Sequence, residues 1–244
     1  DAYKNSHGFW DKGKLLESSG GYPYKNCLIS LPCLKPPFYL SLLFIRQDME
    51  GSKTAEKVEI SDQRHRFTVE EYHLMGDAGV FDETRVELLD GEIYDMSPIN
   101  SPHAGTVKFL NRLLNKWLGD KYIIGIQDPV TLDNYSEPEP DIAILKTRED
   151  FYTDSHPQPK DIILIIEVAD SSLDKDRNIK LPGYARAGIA EAWLVVLEES
   201  IVEVHTQPSA KGYDNIQIFR AGKAIESPQV KGLTVDEVFG TVQT

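Results

Sequence analysis

The sequence predicts a fold of the α/β (α+β) class, in which helices flank a mixed β-sheet. Three observations point to this class. Residues 162–168 are almost continuously aliphatic, as in a strand that is covered on both faces. Residues 101–117 carry apolar side chains at helical spacing. The predicted order of elements is helix, hairpin, helix, strands, helix and strands, which is typical of a sheet with helices packed against it.

The composition favours one large domain in a soluble, cytoplasmic protein. The chain has 244 residues, of which 41% are hydrophobic, and it contains no apolar run long enough to span a membrane. Its formal net charge is −13, which argues against a protein that coats duplex DNA, because such binding requires many Lys and Arg. Cys27 and Cys33 are the only cysteines, which supports neither a disulfide framework nor a structural zinc site.

Residues 1–62 are predicted to be a poorly structured N-terminal extension, and residues 63–244 the folded domain. Residues 1–48 lack steady periodicity and begin with Asp. They contain six Lys and Arg against four Asp and Glu, so the remaining residues carry a net charge of −15. Met49 is the favoured natural start of the protein, and a loosely ordered arm before it is the alternative.

The folded domain begins with a predicted helix and a hairpin. Thr68-Val-Glu-Glu71 is a capping box, and the helix that it starts should run to Gly76 or Gly79. Residues 85–96 follow as two strands, because Asp90-Gly91 at their centre suits a tight hairpin turn.

A long helix and three strands come next. Ser101 is the predicted N-cap, because Pro102 suits the first helical position. The apolar face of this helix is predicted to consist of His103, Val107, Leu110, Leu114 and Trp117. Strands are predicted over residues 122–132, 141–145 and 162–168, and the last of these should be central in the sheet.

The last part of the domain is predicted to contain two helical segments and three strands. Residues 173–187 are expected to be helical, with Pro182 kinking or dividing the helix and Gly188 stopping it. Thr234-Val-Asp-Glu237 is a second capping box and predicts a short helix. The strands are expected at residues 192–197, 201–206 and 213–220.

Two acidic residues at predicted strand ends indicate a site for a divalent cation. Asp141 opens one strand, and Glu167 follows the apolar run 162–166, where an unpaired charge would be costly to bury. Mg²⁺ and Mn²⁺ prefer oxygen ligands, and Mg²⁺ usually takes one or two carboxylates together with water and substrate oxygens. A cation held in this way supplies the activated water and the charge stabilisation that phosphodiester hydrolysis requires.

A lysine and a third acid complete the candidate site. Lys180 is expected to project back over the strand ends and to steady the attacking water or the phosphate; the alternative is an exposed helical ion pair with Asp176. Glu87 is either a third acid of the site or the solvent side of its strand. The alternatives for Glu167 are an exposed strand end or a buried ion pair with a lysine, and for Asp141 a turn residue.

Three nearby residues are weaker candidates. Lys175 competes with Lys180 for the same role. His103, in the first turn of its helix, is interpreted as a histidine at the edge of the core or in the cap region rather than as a base. Gln127 either contacts a phosphate or faces water.

These residues, in their order and spacing, resemble the Uma-two family of endonucleases, a branch of the PD-(D/E)xK restriction-endonuclease-like superfamily. The resemblance extends over about residues 64–240. It rests on Arg66-Phe-Thr-Val-Glu-Glu-Tyr72, Arg85-Val-Glu-Leu-Leu-Asp-Gly-Glu-Ile93, Ser97-Pro98 with Ser101-Pro-His103, Glu137-Pro-Glu-Pro-Asp141, the segment from Glu167 to Lys180, and Tyr184-Ala-Arg-Ala-Gly-Ile189 followed by Trp193-Leu-Val195.

The resemblance implies a restriction-endonuclease-like mixed sheet flanked by helices, with Asp141 as the acid of the PD motif and Glu167 as the acid that follows. The usual position of the superfamily's lysine is occupied here by Ala169. The resemblance therefore implies that Lys180 is a lysine that has moved to the next helix. Glu87 matches the family's early acidic position.

The predicted function is hydrolysis of DNA by a Mg²⁺- or Mn²⁺-dependent endonuclease. Asp141 and Glu167 would bind the metal, Lys180 would polarise water or phosphate, and Glu87 would assist. The alternative is a nuclease-fold module with weak or no hydrolysis that binds nucleic acid or protein. A glycosidase is disfavoured, because nothing marks a sugar site. The expected partner is DNA, and a homodimer would suit a cut on both strands.

Overall fold

The computed structural model describes residues 64–240, so the predicted extension over residues 1–62 lies outside the described residues. The helices in the described part are α1 (Val69–Asp77), α2 (Ser101–Leu118), α3 (Leu173–Lys175), α4 (Leu181–Arg186) and α5 (Val235–Val238). A π-helical turn spans Asp176–Lys180, and 3₁₀ turns span Gly119–Lys121 and Pro159–Asp161. The strands are β1 (Val86–Leu89), β2 (Glu92–Asp95), β3 (Tyr122–Gly125), β4 (Ile142–Lys146), β5 (Ile162–Ala169), β6 (Glu191–Val196), β7 (Ile201–Ser209), β8 (Gly212–Phe219), β9 (Ala224–Glu226) and β10 (Lys231–Thr234).

The main sheet has six strands in the order β3-β4-β5-β6-β7-β8. Strands β5 and β6 are parallel, and the other neighbouring pairs are antiparallel. One face of the sheet packs against α2 and α5, and the other face packs against α4. Strand β5 is an inner strand with both faces covered, as its aliphatic sequence predicted. A mixed sheet between two layers of helices confirms the predicted fold class.

The first capping box and the first hairpin form as predicted. The backbone N–H of Thr68 donates to Oε2 of Glu71 at 2.8 Å, and the N–H of Glu71 donates to Oγ1 of Thr68 at 3.2 Å. In the hairpin turn, Asp90 and Gly91 have φ angles of 52° and 80°. Positive φ at both central residues is what a type I′ turn requires, so the Asp-Gly pair fits the backbone between β1 and β2.

Helix α2 is the longest helix of the described part, with 18 residues, but its predicted N-cap was wrong. Asn100 caps the helix, because its Oδ1 accepts the N–H of His103 at 3.0 Å, and Ser101 is already helical. Val107, Leu110 and Leu114 form the buried face, whereas Trp117 is 43% exposed. Between residues 64 and 240, no helix is long and apolar enough to cross a membrane.

The strand predicted over residues 122–132 is correct only as far as Gly125. Beyond that residue the regular strand ends, and Gln127 adopts a φ of 55°. The N–H of Gln127 donates to the carbonyl of Asp141 at 3.2 Å. This hydrogen bond continues the register of the β3–β4 pair and brings Gln127 close to Asp141.

The helical stretch predicted over residues 173–187 is present and is divided into three segments. Helices α3 and α4 are joined by the π-helical turn Asp176–Lys180, and Pro182 lies in the first turn of α4, where its missing N–H is tolerated. Gly188, with a φ of 81°, follows the end of α4 as predicted.

The C-terminal part of the domain has a longer strand β7 than predicted and two additional short strands. Strand β7 continues through Pro208 to Ser209, so the expected turn shortens to two residues between β7 and β8. The capping box at Thr234 starts α5 as predicted. The short antiparallel pair β9 and β10 was missed, because three- and four-residue strands have too little alternation to show in the sequence.

Candidate active site

The pairing of β4 with β5 brings Asp141 and Glu167 together. Ile142 lies opposite Ile166 in this antiparallel pair. Asp141, just before β4, is therefore next to Glu167 in the same register. The N–H of Asp141 donates to Oε2 of Glu167 at 3.3 Å, and the N–H of Val168 donates to Oδ2 of Asp141 at 2.9 Å. The two acids are 26 residues apart in the chain, yet each carboxylate binds the backbone of the other strand.

Asp141 is largely buried and accepts hydrogen bonds on both oxygens. Nε2 of His103 lies 3.0 Å from Oδ2, and Nε2 of Gln127 donates to Oδ1 at 3.1 Å. Burial raises the pKa of the Asp141 carboxyl, but the hydrogen bond from His103 and the charge of Lys180 outweigh burial, so this pKa lies below its usual range. The carboxyl is therefore ionised at neutral pH.

Glu167 is 1% exposed, so the interpretation as an exposed strand end is wrong. Nζ of Lys180 lies 2.8 Å from its Oε1, and the hydroxyl of Tyr184 donates to the same oxygen. Burial raises the pKa of the Glu167 carboxyl, and the ammonium of Lys180 acts in the opposite direction.

Lys180 is 5% exposed, so it is not the exposed helical ion pair that the sequence left open. Besides Glu167, its ammonium contacts Oε2 of Glu87 at 3.4 Å and donates to the carbonyl of Glu139 at 3.1 Å. Desolvation lowers the pKa of Lys180, but the charges of Glu167 and Glu87 outweigh it and hold this pKa above its usual value. Lys180 is thus a buried cation held by three acceptors.

Glu87 lies on β1 and is 1% exposed, so the solvent-side interpretation is wrong. Its Oε1 pairs with Nζ of Lys175 at 2.8 Å, and its Oε2 accepts the N–H of Glu139 at 3.3 Å. Burial raises the pKa of the Glu87 carboxyl, but Lys180 and Lys175 together lower it below its usual value. Lys175 therefore pairs with Glu87, whereas Lys180 pairs with both Glu87 and Glu167.

Three residues beside the site were not assigned to it from the sequence. Tyr184 lies four residues after Lys180 on the helical segment, a spacing that places both on one side. Asp176 is 3% exposed and accepts the hydroxyl of Ser172 at 2.5 Å; burial raises the pKa of its carboxyl. His103 contacts Asp141, which its position at a core edge did not reveal.

These side chains line a single cleft at the edge of the sheet. Its acidic and basic lining residues are Arg85, Glu87, His103, Glu139, Asp141, Glu167, Asp170, Lys175, Asp176 and Lys180. All of the sequence-predicted site residues are among them. The cleft is therefore the place where the four predicted side chains meet.

The pair Asp141 and Glu167 fits a hard divalent cation. Within residues 64–240, no three His, Cys, Asp or Glu side chains are grouped to hold a metal ion by themselves. Mg²⁺ does not need such a group, because it takes one or two carboxylates and completes its shell with water and substrate. Oδ1 of Asp141 and Oε2 of Glu167 each accept one hydrogen bond, which leaves a lone pair on each for an ion.

Comparisons with known proteins agree with this architecture. A family model described as "Uma2: Putative restriction endonuclease" matches residues 69–237. No curated protein matches the chain. The chain is similar to the crystal structure of "a putative nuclease belonging to DUF820 from Anabaena variabilis ATCC 29413", with 15% identity and a TM-score of 0.55 over 72% of this chain and 98% of that chain. It also matches the type IIG restriction endonuclease BpuSI, with 20% identity over 60% of this chain and 17% of that chain, but the TM-score is 0.35. The first similarity shows a shared fold.

Proposed function

Because the chain belongs to the Uma2 family, as its motifs predicted, we propose that it is a Mg²⁺- or Mn²⁺-dependent endonuclease that hydrolyses phosphodiester bonds of DNA. The observation that supports this most directly is the convergence of two carboxylates and an ammonium. The backbone N–H of Asp141 donates to Oε2 of Glu167 at 3.3 Å, and Nζ of Lys180 lies 2.8 Å from Oε1 of Glu167. Asp141 and Glu167 would hold the cation, which supplies charge neutralisation and an acidic bound water.

Lys180 would act on the phosphate by exchanging one of its contacts. The ammonium has three N–H donors, and three acceptors from Glu167, Glu87 and Glu139 surround it. The contact with Glu87 is the longest, at 3.4 Å, and Glu87 keeps Lys175 as a second partner. A phosphate oxygen would therefore displace Glu87 from Lys180 at the least cost, which gives Glu87 its assisting role.

Cleavage of supercoiled plasmid DNA in the presence of Mg²⁺ tests the proposal. Asp141→Asn and Glu167→Gln should each abolish cleavage, because an amide oxygen binds Mg²⁺ more weakly than a carboxylate does. Glu149→Gln, a change at an exposed acid outside the cleft, should cleave like the wild type. Circular dichroism checks that the variants are folded. Cleavage that persists in both site variants would remove Asp141 and Glu167 from the mechanism.

A second candidate function is a nuclease-fold module that binds nucleic acid or protein without hydrolysis. Two observations favour it. The three N–H donors of Lys180 already have acceptors in the protein, and Ala169 stands at the usual position of the superfamily's lysine. DNA that is bound but left intact at saturating Mg²⁺ and Mn²⁺ would favour this function over the first.

A further inference from the structure

The contact between His103 and Asp141 has a role that the proposed function does not include. We propose that His103 is a positioning residue: its hydrogen bond to Oδ2 of Asp141 keeps Oδ1 available for the divalent cation. This inference rests on the proposed function, because it takes Asp141 to be a metal ligand. His103 does not touch the cation and acts only through Asp141.

The start of helix α2 holds the imidazole in place. His103 lies in the first turn, and its backbone N–H donates to the cap residue Asn100 at 3.0 Å. The amide of Asn100 donates in turn to Asp170, which follows β5 directly. These hydrogen bonds connect the start of α2 with the end of β5. The His103 side chain is only 13% exposed. The ring has little freedom to leave Asp141.

The hydrogen bonds of Asp141 are divided unequally between its two oxygens. Oδ2 accepts two donors, the N–H of Val168 at 2.9 Å and Nε2 of His103 at 3.0 Å. Oδ1 accepts one donor, the side-chain amide of Gln127 at 3.1 Å. Each carboxylate oxygen offers about two acceptor sites, so Oδ2 is filled and Oδ1 retains one.

Glu167 shows the same division. Its Oε1 accepts the hydroxyl of Tyr184 and pairs with Lys180, whereas Oε2 receives only the N–H of Asp141. The free acceptor sites are therefore Oδ1 of Asp141 and Oε2 of Glu167. His103 binds Oδ2 of Asp141 and Tyr184 binds Oε1 of Glu167, so the second oxygen of each acid keeps a free acceptor site.

The ring nitrogen that faces Asp141 must carry a proton, because an ionised carboxylate only accepts hydrogen bonds. Nε2 carries that proton in one of the two neutral tautomers and in the imidazolium, so the proposal does not depend on the charge of the ring. Nδ1 of His103 is buried and has no partner in the described part of the chain. Nε2 is therefore the ring nitrogen that acts on the site.

Two amide substitutions separate this role from simple packing. In His103→Gln the amide nitrogen can occupy the place of Nε2, whereas the shorter side chain of His103→Asn reaches only the place of Nδ1. Isothermal titration with Mn²⁺, without DNA, measures the affinity directly. We expect His103→Asn to weaken Mn²⁺ binding by about 10- to 100-fold, as for the loss of other partners of metal ligands, and His103→Gln to bind close to the wild type. His156→Asn, at an exposed histidine outside the cleft, is the matched control.

The outcomes distinguish this inference from the proposed function. Wild-type affinity in His103→Asn, or equal losses of affinity in His103→Asn and His103→Gln, would overturn the positioning role while the metal site stands. If the wild type and Asp141→Asn both fail to bind Mn²⁺, the proposed function itself is overturned, and the inference with it. The melting temperature without metal shows whether a variant is folded. If His103→Asn does not fold, Mn²⁺ affinity close to the wild type in His103→Gln supports the positioning role, and a loss of affinity in His103→Gln overturns it.

Discussion

At the scale of single residues, the burial of the Glu167 carboxylate is costly and must be compensated by its neighbours. The residue is 1% exposed and lies in a strand whose other residues are aliphatic. The pairing with Lys180 and the hydroxyl of Tyr184 compensates the burial. The contacts that would orient Glu167 toward a cation therefore also compensate the burial of its charge, so the proposed metal binding and the stability are coupled at this residue.

Lys180→Met should destabilise the protein strongly. Removing one partner of a buried ion pair leaves the other charge uncompensated, which costs about 3–5 kcal/mol. Urea unfolding measures the loss, and Lys108→Met, at an exposed lysine on α2, is the control that should change little. A loss below about 1 kcal/mol would show that Glu167 does not depend on Lys180.

The destabilisation by Lys180→Met should depend on pH. Burial raises the pKa of Glu167 above its unfolded value, and removing the ammonium raises it further. The folded variant then binds more protons than the unfolded chain at intermediate pH, so its stability falls as pH rises through that window. Unfolding at about pH 5 and about pH 8 should show the larger loss at the higher pH. Equal losses at both pH values would mean that Glu167 does not take up the proton.

At the scale of elements, the π-helical turn is what delivers Lys180 to the sheet edge. Lys180 ends the turn, and Arg177 within it pairs with Glu203 on β7. Glu203 is 5% exposed and also contacts Nε2 of His205 at 3.0 Å. One side of the turn thus reaches the candidate site while another is anchored to the sheet.

Glu203→Gln should loosen that anchor. The variant keeps the shape of the side chain but loses the charge that binds Arg177, at a cost of about 1–3 kcal/mol. If the anchor positions Lys180, DNA cleavage should fall as well, while Mn²⁺ binding at Asp141 persists. Thermal unfolding, plasmid cleavage and Mn²⁺ titration check this, with Glu198→Gln at an exposed loop position as control. Unchanged stability and cleavage would show that the ion pair between Arg177 and Glu203 does not position Lys180.

The β1–β2 hairpin depends on glycine at its turn. A Cβ on Gly91 would lie 2.6 Å from Cβ of Arg66, and the φ of 80° is unfavourable for other residues. Gly91→Ala should therefore destabilise the domain, by at least about 1 kcal/mol. Gly105→Ala, in the interior of α2 with no neighbouring atom within 4 Å, should stabilise it by about 0.5–1 kcal/mol. Chemical denaturation of both variants should give shifts of opposite sign.

At the scale of the whole molecule, the charge of −13 limits how the protein can bind DNA. Few basic side chains are available, and Arg85, at the cleft, is already paired with Glu139. Binding should therefore need the divalent cation rather than an extended basic surface. A homodimer, which would pool the basic residues, stays a prediction.

DNA affinity should respond weakly to salt. Each phosphate neutralised by Lys or Arg contributes about −0.9 to the slope of log K against log salt, so a protein with few such contacts should give a shallow slope. Fluorescence anisotropy with a duplex oligonucleotide in Ca²⁺, across several NaCl concentrations, measures it. A steep slope would reveal a basic binding surface outside the cleft.

Local patterns in the sequence determined most of the elements. Thr68 with Glu71, Asp90 with Gly91 and Gly188 act through neighbours in the chain, so their caps and turns were predictable. The aliphatic run 162–168 determined an inner strand for the same reason. The N-cap at Asn100 was missed, because Ser101 beside it is an equally good capping residue by type.

Only the tertiary structure decided how the side chains meet. The sequence left Lys180 between a surface ion pair and the site, and Glu87 between solvent and the site, because strand pairing and the π-helical turn set their burial. His103 joined the cleft through its contact with Asp141, which lies 38 residues further along the chain. Motif order identified the family from the sequence by itself, whereas distances, burial and shared hydrogen bonds exist only once β4, β5 and the helix after them are packed together.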